Sequence, residues 1–433
     1  MPSALPSPLP RFAEVARHRP VALVQPSTSM AGAPWAAATG PAPELRSDAV
    51  TLRARRTGRR VVLEVERDGS TERRASARHG WVREVDELAV SVTGPLVVAW
   101  SRTAGLWTAR ARTSLGQRPW WRGLRPGDGV VDAGGFGQLG LRDLRLVTHA
   151  DGTPYREGAP GTGPFLLTAT SAGPGGFRTG HTSVWALDPD TLDLAHRADL
   201  FFRHPAGPGH PAGTGTAVPD GAVLGHHATH LVRDGGAWRV ATSTWGTFDR
   251  TARPGVEVRL GLSLADLARG RHVVTVEPLA LPVADLGSVG AWDAQLVHDG
   301  ERWLVAFVSA RRFFSFHPAL AAGHDLDDLT LLGAARDRVF CEGPTLARLP
   351  DGWRLLASDG REESPHRRAG YPCFDLAMAE VGRLDATYPT NLPWPTVVPH
   401  DGGWLMVGFD GSTYGGGLVD YGSHGAVVVQ RTA

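Results

Sequence analysis

Cysteine is scarce in this chain of 433 residues, which contains only Cys341 and Cys373. Two cysteines are too few for a scaffold held together by several disulfides, so a small disulfide-stapled fold is excluded. The redox environment is left open by this count. We interpret both residues as small core side chains.

Long hydrophobic runs are also missing, and no stretch approaches the roughly 20 apolar residues that cross a bilayer. The first twelve residues, MPSALPSPLPRF, contain prolines where a secretory signal needs a continuous apolar segment. We therefore expect no membrane contact and a cytoplasmic location. Non-classical export and a misplaced start codon stay open as alternatives.

An excess of charge of one sign is lacking as well, since 45 basic and 44 acidic residues give a formal net charge of +1. Surfaces that bind nucleic acid carry clustered positive charge, so we expect no nucleic-acid partner and a neutral or weakly charged ligand. One segment, at 52–60, is rich in arginine, but its basic and apolar residues alternate. We interpret it as a solvated strand and turn.

Glycine and proline are abundant, with 54 and 33 residues, and 14 tryptophans outnumber 5 tyrosines. This composition favours short strands joined by tight turns over long helices. A chain of this length exceeds a typical single domain, so we expect one large repeat domain and a smaller unit.

One pattern occurs four times: a strand, an Asp-Gly turn, a tryptophan and a second strand. The copies lie at 231–243, 296–309, 346–358 and 398–409. Repeated β-hairpins at intervals of about fifty to sixty residues predict propeller blades. We assign the turn carboxylates to turn formation and the hairpin tryptophans to core packing between blades; they are Asp234, Asp299, Asp351 and Asp401, and Trp238, Trp303, Trp353 and Trp404.

The predicted organisation is all-β, a five-bladed β-propeller with a β-rich accessory segment at the amino-terminal end. Residues 1–44 are expected to be an extended arm, 45–118 a small sandwich-like module and 119–433 the propeller. The five blades are placed at 130–199, 226–264, 291–332, 341–381 and 394–432.

Three carboxylates precede the innermost strands of different blades: Asp143, Asp293 and Glu342. Because innermost strands line a common channel, residues at their starts become neighbours. Hydrolysis of an acetal needs a proton donor and a base or nucleophile, and paired carboxylates in different environments supply both. The three acids therefore form one candidate site.

Arg142-Asp143, Asp293 at the head of a hairpin with tryptophan, and Glu342-Gly343-Pro344 before TLARLPDGW together resemble glycoside hydrolase family 43 and its five-bladed relatives. The resemblance covers roughly 130–433. It implies that Glu342 is the general acid, Asp143 the general base and Asp293 the carboxylate that tunes the pKa of the acid. It also implies inversion of configuration on an arabinoside, xyloside or galactoside.

Histidines and aromatic residues supply candidate substrate contacts: His226 and His227, for sugar hydroxyls, with Trp292, Phe136, Trp245 and Phe314 to stack on a sugar, and Arg311 for a carboxylate. Relatives of the family hold an ion in the channel, so the resemblance implies His424 as a metal ligand, with a buried core histidine as the alternative. No cofactor is required, and a structural calcium ion in the channel is the one candidate.

Two other functions are compatible with the same pattern. A propeller can bind glycans or proteins on this face without catalysis, and the same fold can serve an enzyme acting on an intracellular glycoside or a specialised metabolite. The second alternative follows from the expected cytoplasmic location, because polysaccharide does not enter cells.

Overall fold

A computed structural model describes residues 6–25, 28–116, 119–158, 161–205, 221–249, 255–421 and 424–432. Strands dominate this part, and its helices are four 3₁₀ turns, Pro119–Trp121, Phe177–Thr179, Trp245–Thr247 and Ala284–Leu286. The prediction of an all-β protein is confirmed. Within these ranges, no helix has the length and apolar character needed to cross a membrane.

Twelve strands precede the repeat region: β1 (Phe12–His18), β2 (Ala22–Gln25), β3 (Trp35–Gly40), β4 (Glu44–Arg46), β5 (Thr51–Thr57), β6 (Arg60–Arg67), β7 (Ser70–Arg74), β8 (Glu87–Thr93), β9 (Leu96–Thr103), β10 (Leu106–Ser114), β11 (Arg125–Pro126) and β12 (Asp132–Gln138). All except β1 build two sheets, ordered β10-β9-β8-β3-β12-β2 and β11-β4-β5-β6-β7. Leu52 and Leu63 of the smaller sheet share one buried cluster with Val90 and Val97 of the larger sheet. The two sheets therefore form a β-sandwich.

The sandwich extends beyond the module predicted at 45–118. Strands β2 and β3 come from the expected arm, and β12 comes from the expected start of the propeller. Strand β3 is buried along its whole length, because Ala36 faces the sandwich core while Trp35 packs on Phe201 of the repeat region. A strand covered on both faces lacks the polar alternation that marks half-exposed strands, so its sequence did not reveal it.

The remaining strands are, in chain order, β13 (Leu141–Leu146), β14 (Thr148–His149), β15 (Phe165–Ser171), β16 (His181–Leu187), β17 (Leu194–Arg203), β18 (His227–Asp234), β19 (Ala237–Ser243), β20 (Val258–Ser263), β21 (Gly270–Thr275), β22 (Glu277–Pro278), β23 (Gly290–His298), β24 (Trp303–Arg312), β25 (Ser315–Gly323), β26 (Thr330–Ala334), β27 (Cys341–Leu349), β28 (Gly352–Asp359), β29 (Tyr371–Phe374), β30 (Glu380–Leu384), β31 (Thr396–His400), β32 (Gly403–Asp410) and β33 (Ala426–Thr432). They form five consecutive sheets, here named blades one to five.

Each blade is built outward from an inner strand by antiparallel pairing. The orders are β13-β15-β16-β17, β18-β19-β20, β23-β24-β25-β26, β27-β28-β29-β30 and β31-β32-β33-β1. Short strands extend the first two blades: β21 adds in parallel to β17, β14 adds in parallel to β18, and β22 pairs with β20.

The inner strands contact one another in a closed order: β13 with β18, β18 with β23, β23 with β27, β27 with β31, and β31 with β13. The Thr396 hydroxyl of blade five also donates a hydrogen bond to the Leu144 carbonyl oxygen of blade one at 2.7 Å. Five sheets in this order surround one axis, which is the arrangement of a propeller.

Strand β1 belongs to the propeller and is not a free arm. It pairs with β33, from Phe12 opposite Thr432 to His18 opposite Val427. The Phe12 side chain is buried in a cluster that includes Tyr371 of blade four. The two ends of the described chain thus meet in blade five, and their pairing closes the ring without a covalent bond.

The repeated hairpins are the inner two strands of blades two to five. Trp238 and Trp303 are buried, which confirms their packing role, whereas Trp353 and Trp404 are half-buried and line a cavity of about 260 Å³ at the far end of the channel. Both cysteines are buried, as predicted, and both are free thiols.

Candidate active site

A β-bulge interrupts each of the first four inner strands near its start. The pairing register shifts between Arg142 and Arg145, His227 and His230, Trp292 and Gln295, and Glu342 and Thr345. A bulge bends its strand and redirects the side chains beside it. The redirected residues of all four blades face the same mouth of the channel, where they line one cavity.

One residue in every blade has a left-handed backbone at this point. The angle φ is 52° at Asp143, 56° at Ala228, 60° at Asp293, 69° at Gly343 and 57° at Trp394. Aspartate enters this region more readily than most residues, while a bulky residue such as tryptophan rarely does. The same unusual geometry thus recurs around the axis, at residues that line the cavity or are adjacent in sequence to one that does.

Asp143 and Asp293 occupy equivalent positions, as predicted, but Glu342 lies one residue earlier in its blade. Gly343 takes the position of the two aspartates. A Cβ atom there would collide with the indole of Trp394, so glycine is required and the carboxyl comes from the preceding residue. All three acids lie within inner strands and not before them.

The cavity has a volume of about 440 Å³ and contains all three predicted catalytic acids. The predicted substrate residues His227 and Trp292 and the predicted metal ligand His424 also line it. These side chains come from all parts of the ring, and their meeting is a result of the fold.

Glu342 lies in surroundings that favour its protonated form. Burial, followed by the negative charge of Asp143, raises the pKa of Glu342 to about 8. The indole N–H groups of Trp394 and Trp292 approach without reaching hydrogen-bond geometry, and they favour the charged form. A carboxyl with this pKa is protonated at neutral pH and can act as a proton donor.

Asp293 is the most buried of the three acids, with 2% of its surface exposed. Burial and the neighbouring charge of Glu342 raise the pKa of Asp293 well above its usual range, against the opposing effect of Arg145. Its Oδ2 atom has no hydrogen-bond partner in the described part of the chain. Two carboxyls that share a buried site do not readily ionise together, so this pair retains a proton near neutral pH.

Asp143 has a guanidinium group within hydrogen-bond distance of its carboxyl. The Arg142 Nε atom donates a hydrogen bond to Asp143 Oδ2 at 3.2 Å, and His227 Nδ1 lies 3.8 Å from the same oxygen. The Asp143 charge helps to raise the pKa of Glu342, while Arg142 holds the Asp143 carboxylate by a hydrogen bond. Such a pair can both donate and accept protons in one reaction.

Arg145 is a central residue that the sequence did not point out. Its side chain is 1% exposed, and its guanidinium donates hydrogen bonds to the carbonyl oxygens of Asp293 at 2.5 Å and Pro344 at 2.7 Å. The same group lies 4.8 Å from the ring centroid of Trp394. One residue of blade one thus contacts the bulges of blades three and four and an aromatic ring of blade five. An arginine in a strand predicted to line the channel was the available signal, because a buried charge needs such partners.

The Arg145 guanidinium also bears on the predicted calcium ion. Backbone carbonyl oxygens are ligands that Ca²⁺ accepts, but Arg145 already donates to those of Asp293 and Pro344, and its charge opposes a divalent cation. The described residues contain no group of three His, Cys, Asp or Glu side chains able to hold a metal. The residues present therefore do not fit a calcium site in the channel.

His424 lies in the cavity, with its ring 4.4 Å from that of Tyr421. Burial and the positive charge of Arg142 lower the pKa of His424 to about 3, so the imidazole is neutral. Its Nδ1 atom has no hydrogen-bond partner among the described residues. A neutral imidazole facing a cavity suits a substrate hydroxyl better than a cation beside Arg142.

Phe136 does not reach the cavity. It belongs to β12 of the sandwich, is fully buried, and packs in a cluster with Trp35 and Trp100. The expected contact with substrate assumed that the propeller began before β12, whereas its first inner strand begins at Leu141.

His226 and Arg311 are likewise away from the cavity. His226 Nε2 lies 2.9 Å from His204 Nε2, because adjacent residues at the start of β18 point in opposite directions and only His227 faces the site. The Arg311 guanidinium donates a hydrogen bond to the Arg336 carbonyl oxygen at 2.7 Å. Backbone contacts of this kind explain Arg311 without a substrate carboxylate.

Trp245 and Phe314 line the cavity as expected, together with aromatic residues that the sequence did not single out: Phe177, Phe313, Phe316, Phe340, Phe409 and Tyr421. Most of these residues lie in or beside loops, where hydrophobic periodicity gives no signal. Their convergence follows only from the ring of blades.

No family model and no curated protein sequence matches the chain. Among solved structures, it is similar to a GH32 beta-fructofuranosidase of Bombyx mori, with 15% identity over 66% of this chain and 59% of that chain, at a TM-score of 0.42. An alpha-L-arabinanase of Penicillium chrysogenum has 12% identity over 97% of both chains, at a TM-score of 0.40. A GH43 enzyme from Xanthomonas citri has 11% identity over 66% of this chain and 87% of that chain, at a TM-score of 0.40.

These structures are glycoside hydrolases, and they include the family that the sequence resembles. With TM-scores below 0.5, they do not by themselves establish the fold or the chemistry of this chain. Its fold follows from its own strand pairing, and its candidate active site follows from the three acids of one cavity.

Proposed function

We propose that this protein is a glycoside hydrolase in which Glu342 is the general acid, Asp143 the general base and Asp293 the carboxylate that adjusts the proton affinity of Glu342. Inversion of configuration is part of the proposal. Arabinosides, xylosides and galactosides, which the family resemblance implies, are the first sugars to test.

The observation that carries this proposal is the contrast between two carboxyls of one cavity. Burial and a neighbouring negative charge raise the pKa of Glu342 to about 8, while Asp143 lies 3.2 Å from the guanidinium of Arg142. Acid and base assignments follow from pairs of titratable groups whose surroundings separate them in this way.

In the proposed reaction, the anomeric carbon of the sugar is attacked by a water molecule, and the bond from that carbon to the leaving oxygen breaks. Glu342 gives its proton to the leaving oxygen, and Asp143 takes a proton from the attacking water. The products are the free sugar and the alcohol of the leaving group. Protons then return to Glu342 and leave Asp143 through solvent.

Arg145 and Asp293 support this step without contacting the leaving oxygen. Arg145 donates hydrogen bonds to the carbonyl oxygens of Asp293 in blade three and of Pro344, which lies two residues after Glu342 in blade four. Fixing a catalytic group in a productive orientation lowers the barrier substantially. His227, Trp292 and His424 line the same cavity and are proposed to contact the sugar.

The acid role is tested with Glu342→Gln and two aryl glycosides of the same sugar. With a poor leaving group, we expect kcat to fall by about 10²–10⁴-fold, the usual contribution of general acid catalysis. With a 2,4-dinitrophenyl leaving group, which needs little protonation, most activity should be retained. Glu301→Gln, the same change at an exposed hairpin turn, is the matched control.

Equal losses on both substrates with an intact fold would contradict the acid role. Inversion is tested by proton NMR spectra recorded immediately after mixing. The first sugar released should have the anomeric configuration opposite to that of the substrate. If the unmodified protein binds glycosides but hydrolyses none of a chromogenic panel, a non-catalytic glycan-binding propeller replaces the hydrolase.

A further inference from the structure

Two tryptophans on either side of blade four have indole N–H groups without a hydrogen-bond acceptor in the described part of the chain. Trp292 of β23 in blade three is 3% exposed, and Trp394, just before β31 in blade five, is 2% exposed. Both line the candidate active-site cavity. A buried donor without an acceptor costs free energy, so two such donors in one cavity indicate a functional role.

Glu342 is the neighbour that the two indoles share. It lies near the start of the inner strand of blade four, between the blades that carry the tryptophans. The indole of Trp394 lies so close to Gly343, the next residue, that a Cβ atom there would be 2.8 Å from the indole nitrogen. Burial and the Asp143 charge raise the pKa of Glu342, and both indoles oppose this rise. The two N–H groups therefore favour the charged form of the acid.

Several contacts hold Trp394 in a backbone conformation that is unfavourable for it. Its φ of 57° is rare for a bulky residue. Its amide donates a hydrogen bond to the Ser358 hydroxyl of blade four at 3.0 Å, and the Arg145 guanidinium lies 4.8 Å from its ring centroid. Strained conformations that the surroundings maintain cluster at functional sites. The fold thus keeps this indole beside the residue proposed as general acid.

We propose that the indole N–H groups of Trp292 and Trp394 stabilise the Glu342 carboxylate that forms when the acid gives its proton to the leaving oxygen. This inference rests on the proposed hydrolase function and adds two positioning residues to it. The indoles keep their own protons and only donate hydrogen bonds. Trp292 can also contact the sugar, because stacking uses the face of the indole and its N–H lies at the edge.

The charge of the acid explains why these hydrogen bonds are not yet formed in the resting site. A carboxylate accepts a hydrogen bond more strongly than a neutral carboxyl does, and catalytic hydrogen bonds often shorten only when the reaction proceeds. Donors that gain their bonds as charge develops stabilise the transition state more than the bound substrate. The two indoles therefore contribute to the reaction step and not to substrate binding.

The pairing can be tested without changing either tryptophan. In NMR spectra of protein with isotope-labelled tryptophan, two indole N–H signals should move downfield as the pH is raised from 6 to 10, with a midpoint near the Glu342 pKa of about 8. The shift reflects the hydrogen bond to the newly charged carboxylate. Glu342→Gln is the control, and none of its indole signals should show this transition. Titration of no indole signal, or the same titration in Glu342→Gln, would overturn the inference.

Trp394→Phe removes the N–H group and keeps an aromatic ring. With a poor leaving group, we expect kcat to fall about tenfold or more and the alkaline limb of kcat/KM to move up by about one pH unit, because the carboxylate loses a charge-assisted hydrogen bond. With the 2,4-dinitrophenyl leaving group, kcat should change by less than about twofold. Trp353→Phe, at the far end of the channel, is the matched control and should alter neither quantity.

A pH profile of Trp394→Phe that coincides with that of the unmodified protein, or equal losses on both substrates, would contradict the positioning role. Hydrolysis of no glycoside by the unmodified protein would instead overturn the proposed function. The NMR titration separates these failures, because it depends on the ionisation of Glu342 and not on turnover.

Discussion

Glu342 and Asp143 are carboxyls of similar intrinsic acidity, and their surroundings give them different chemistry. Glu342 is half-buried near the indoles of Trp292 and Trp394, and the loss of solvent and the charge of Asp143 both disfavour its ionisation. Asp143 instead accepts a hydrogen bond from Arg142. At the scale of single residues, the candidate site is thus defined by which neighbours each carboxyl has.

The pH dependence of activity follows from the raised pKa of Glu342. Its protonated form is the active one, so kcat/KM should be retained below the pKa of about 8 and fall as the pH rises through that value. Above it, we expect a loss of about tenfold per pH unit, as for a single deprotonation. Initial rates from pH 6 to 10 measure this limb.

For a good-leaving-group substrate, the Glu342→Gln protein should lack the alkaline limb, because glutamine does not titrate. A profile that rises through pH 9, or a limb that survives in Glu342→Gln, would assign the ionisation to another group. The control is the unmodified protein assayed with the poor-leaving-group substrate, for which protonation matters and the limb should be present.

At the scale of elements, the bulge repeated in the first four inner strands brings their residues to one site. Each bulge places one residue with a left-handed backbone conformation at the channel mouth. In blade four that residue must be glycine, because a Cβ atom at Gly343 would collide with the Trp394 ring. Arg145 then connects neighbouring bulges through their carbonyl oxygens. The position of the acids depends on backbone geometry as much as on side-chain identity.

Gly343→Ala should lower both stability and activity. Its φ of 69° is unfavourable for alanine, and the new Cβ atom would collide with Trp394. We expect a loss of about 1–3 kcal/mol in the free energy of unfolding and a lower kcat. Gly236→Ala, at a hairpin position with open space around it, should change neither, and urea denaturation with initial rates measures both variants.

Arg145→Lys tests whether the guanidinium positions the acids. Lysine keeps the charge but cannot reproduce the two directed hydrogen bonds to Asp293 and Pro344. We expect kcat to fall roughly tenfold or more with a smaller change in KM, because misplacement of catalytic groups affects the reaction step. Arg348→Lys, at an exposed position of β27, is the control; a loss confined to stability would contradict the positioning role.

At the scale of the whole molecule, the amino-terminal strand holds the ring together and the sandwich supports one side of it. Strand β1 completes blade five beside β33. The sandwich packs on blade one through Trp35, whose indole nitrogen donates a hydrogen bond to the Thr179 carbonyl oxygen at 3.0 Å. It also contacts the blade-five loop after β32, where the Trp107 amide donates to the Tyr414 hydroxyl at 2.9 Å.

Phe12→Ala should weaken the closure of the ring. The Phe12 side chain is 1% exposed and packs against blade four, so its removal leaves a cavity and should cost about 3–5 kcal/mol in the free energy of unfolding. Val15→Ala, on the same strand but 46% exposed, should change stability by less than about 0.5 kcal/mol. Equal unfolding midpoints for the two variants would show that β1 does not close the propeller.

Several features could be predicted because they are encoded locally. The Asp-Gly hairpins have turn residues and tryptophans at regular spacing, and Glu342-Gly343-Pro344 is a distinctive short motif. Strand β3 could not be recognised, because burial on both faces removes its alternation. Phe136 and Arg311 were placed by proximity in the sequence, whereas their contacts are made by a different sheet and by backbone carbonyls.

The order of the amino acids was sufficient to predict the all-β class, the repeated hairpins and the three acids that meet in one cavity, because turns and short motifs depend on neighbours along the chain. The pairing of β1 with β33, the meeting of Arg145 with blades three to five, and the ring contacts within the cavity depend on contacts between distant segments. The raised pKa of Glu342 belongs to this second group, since burial and the charge of Asp143 exist only once the blades have closed into a ring.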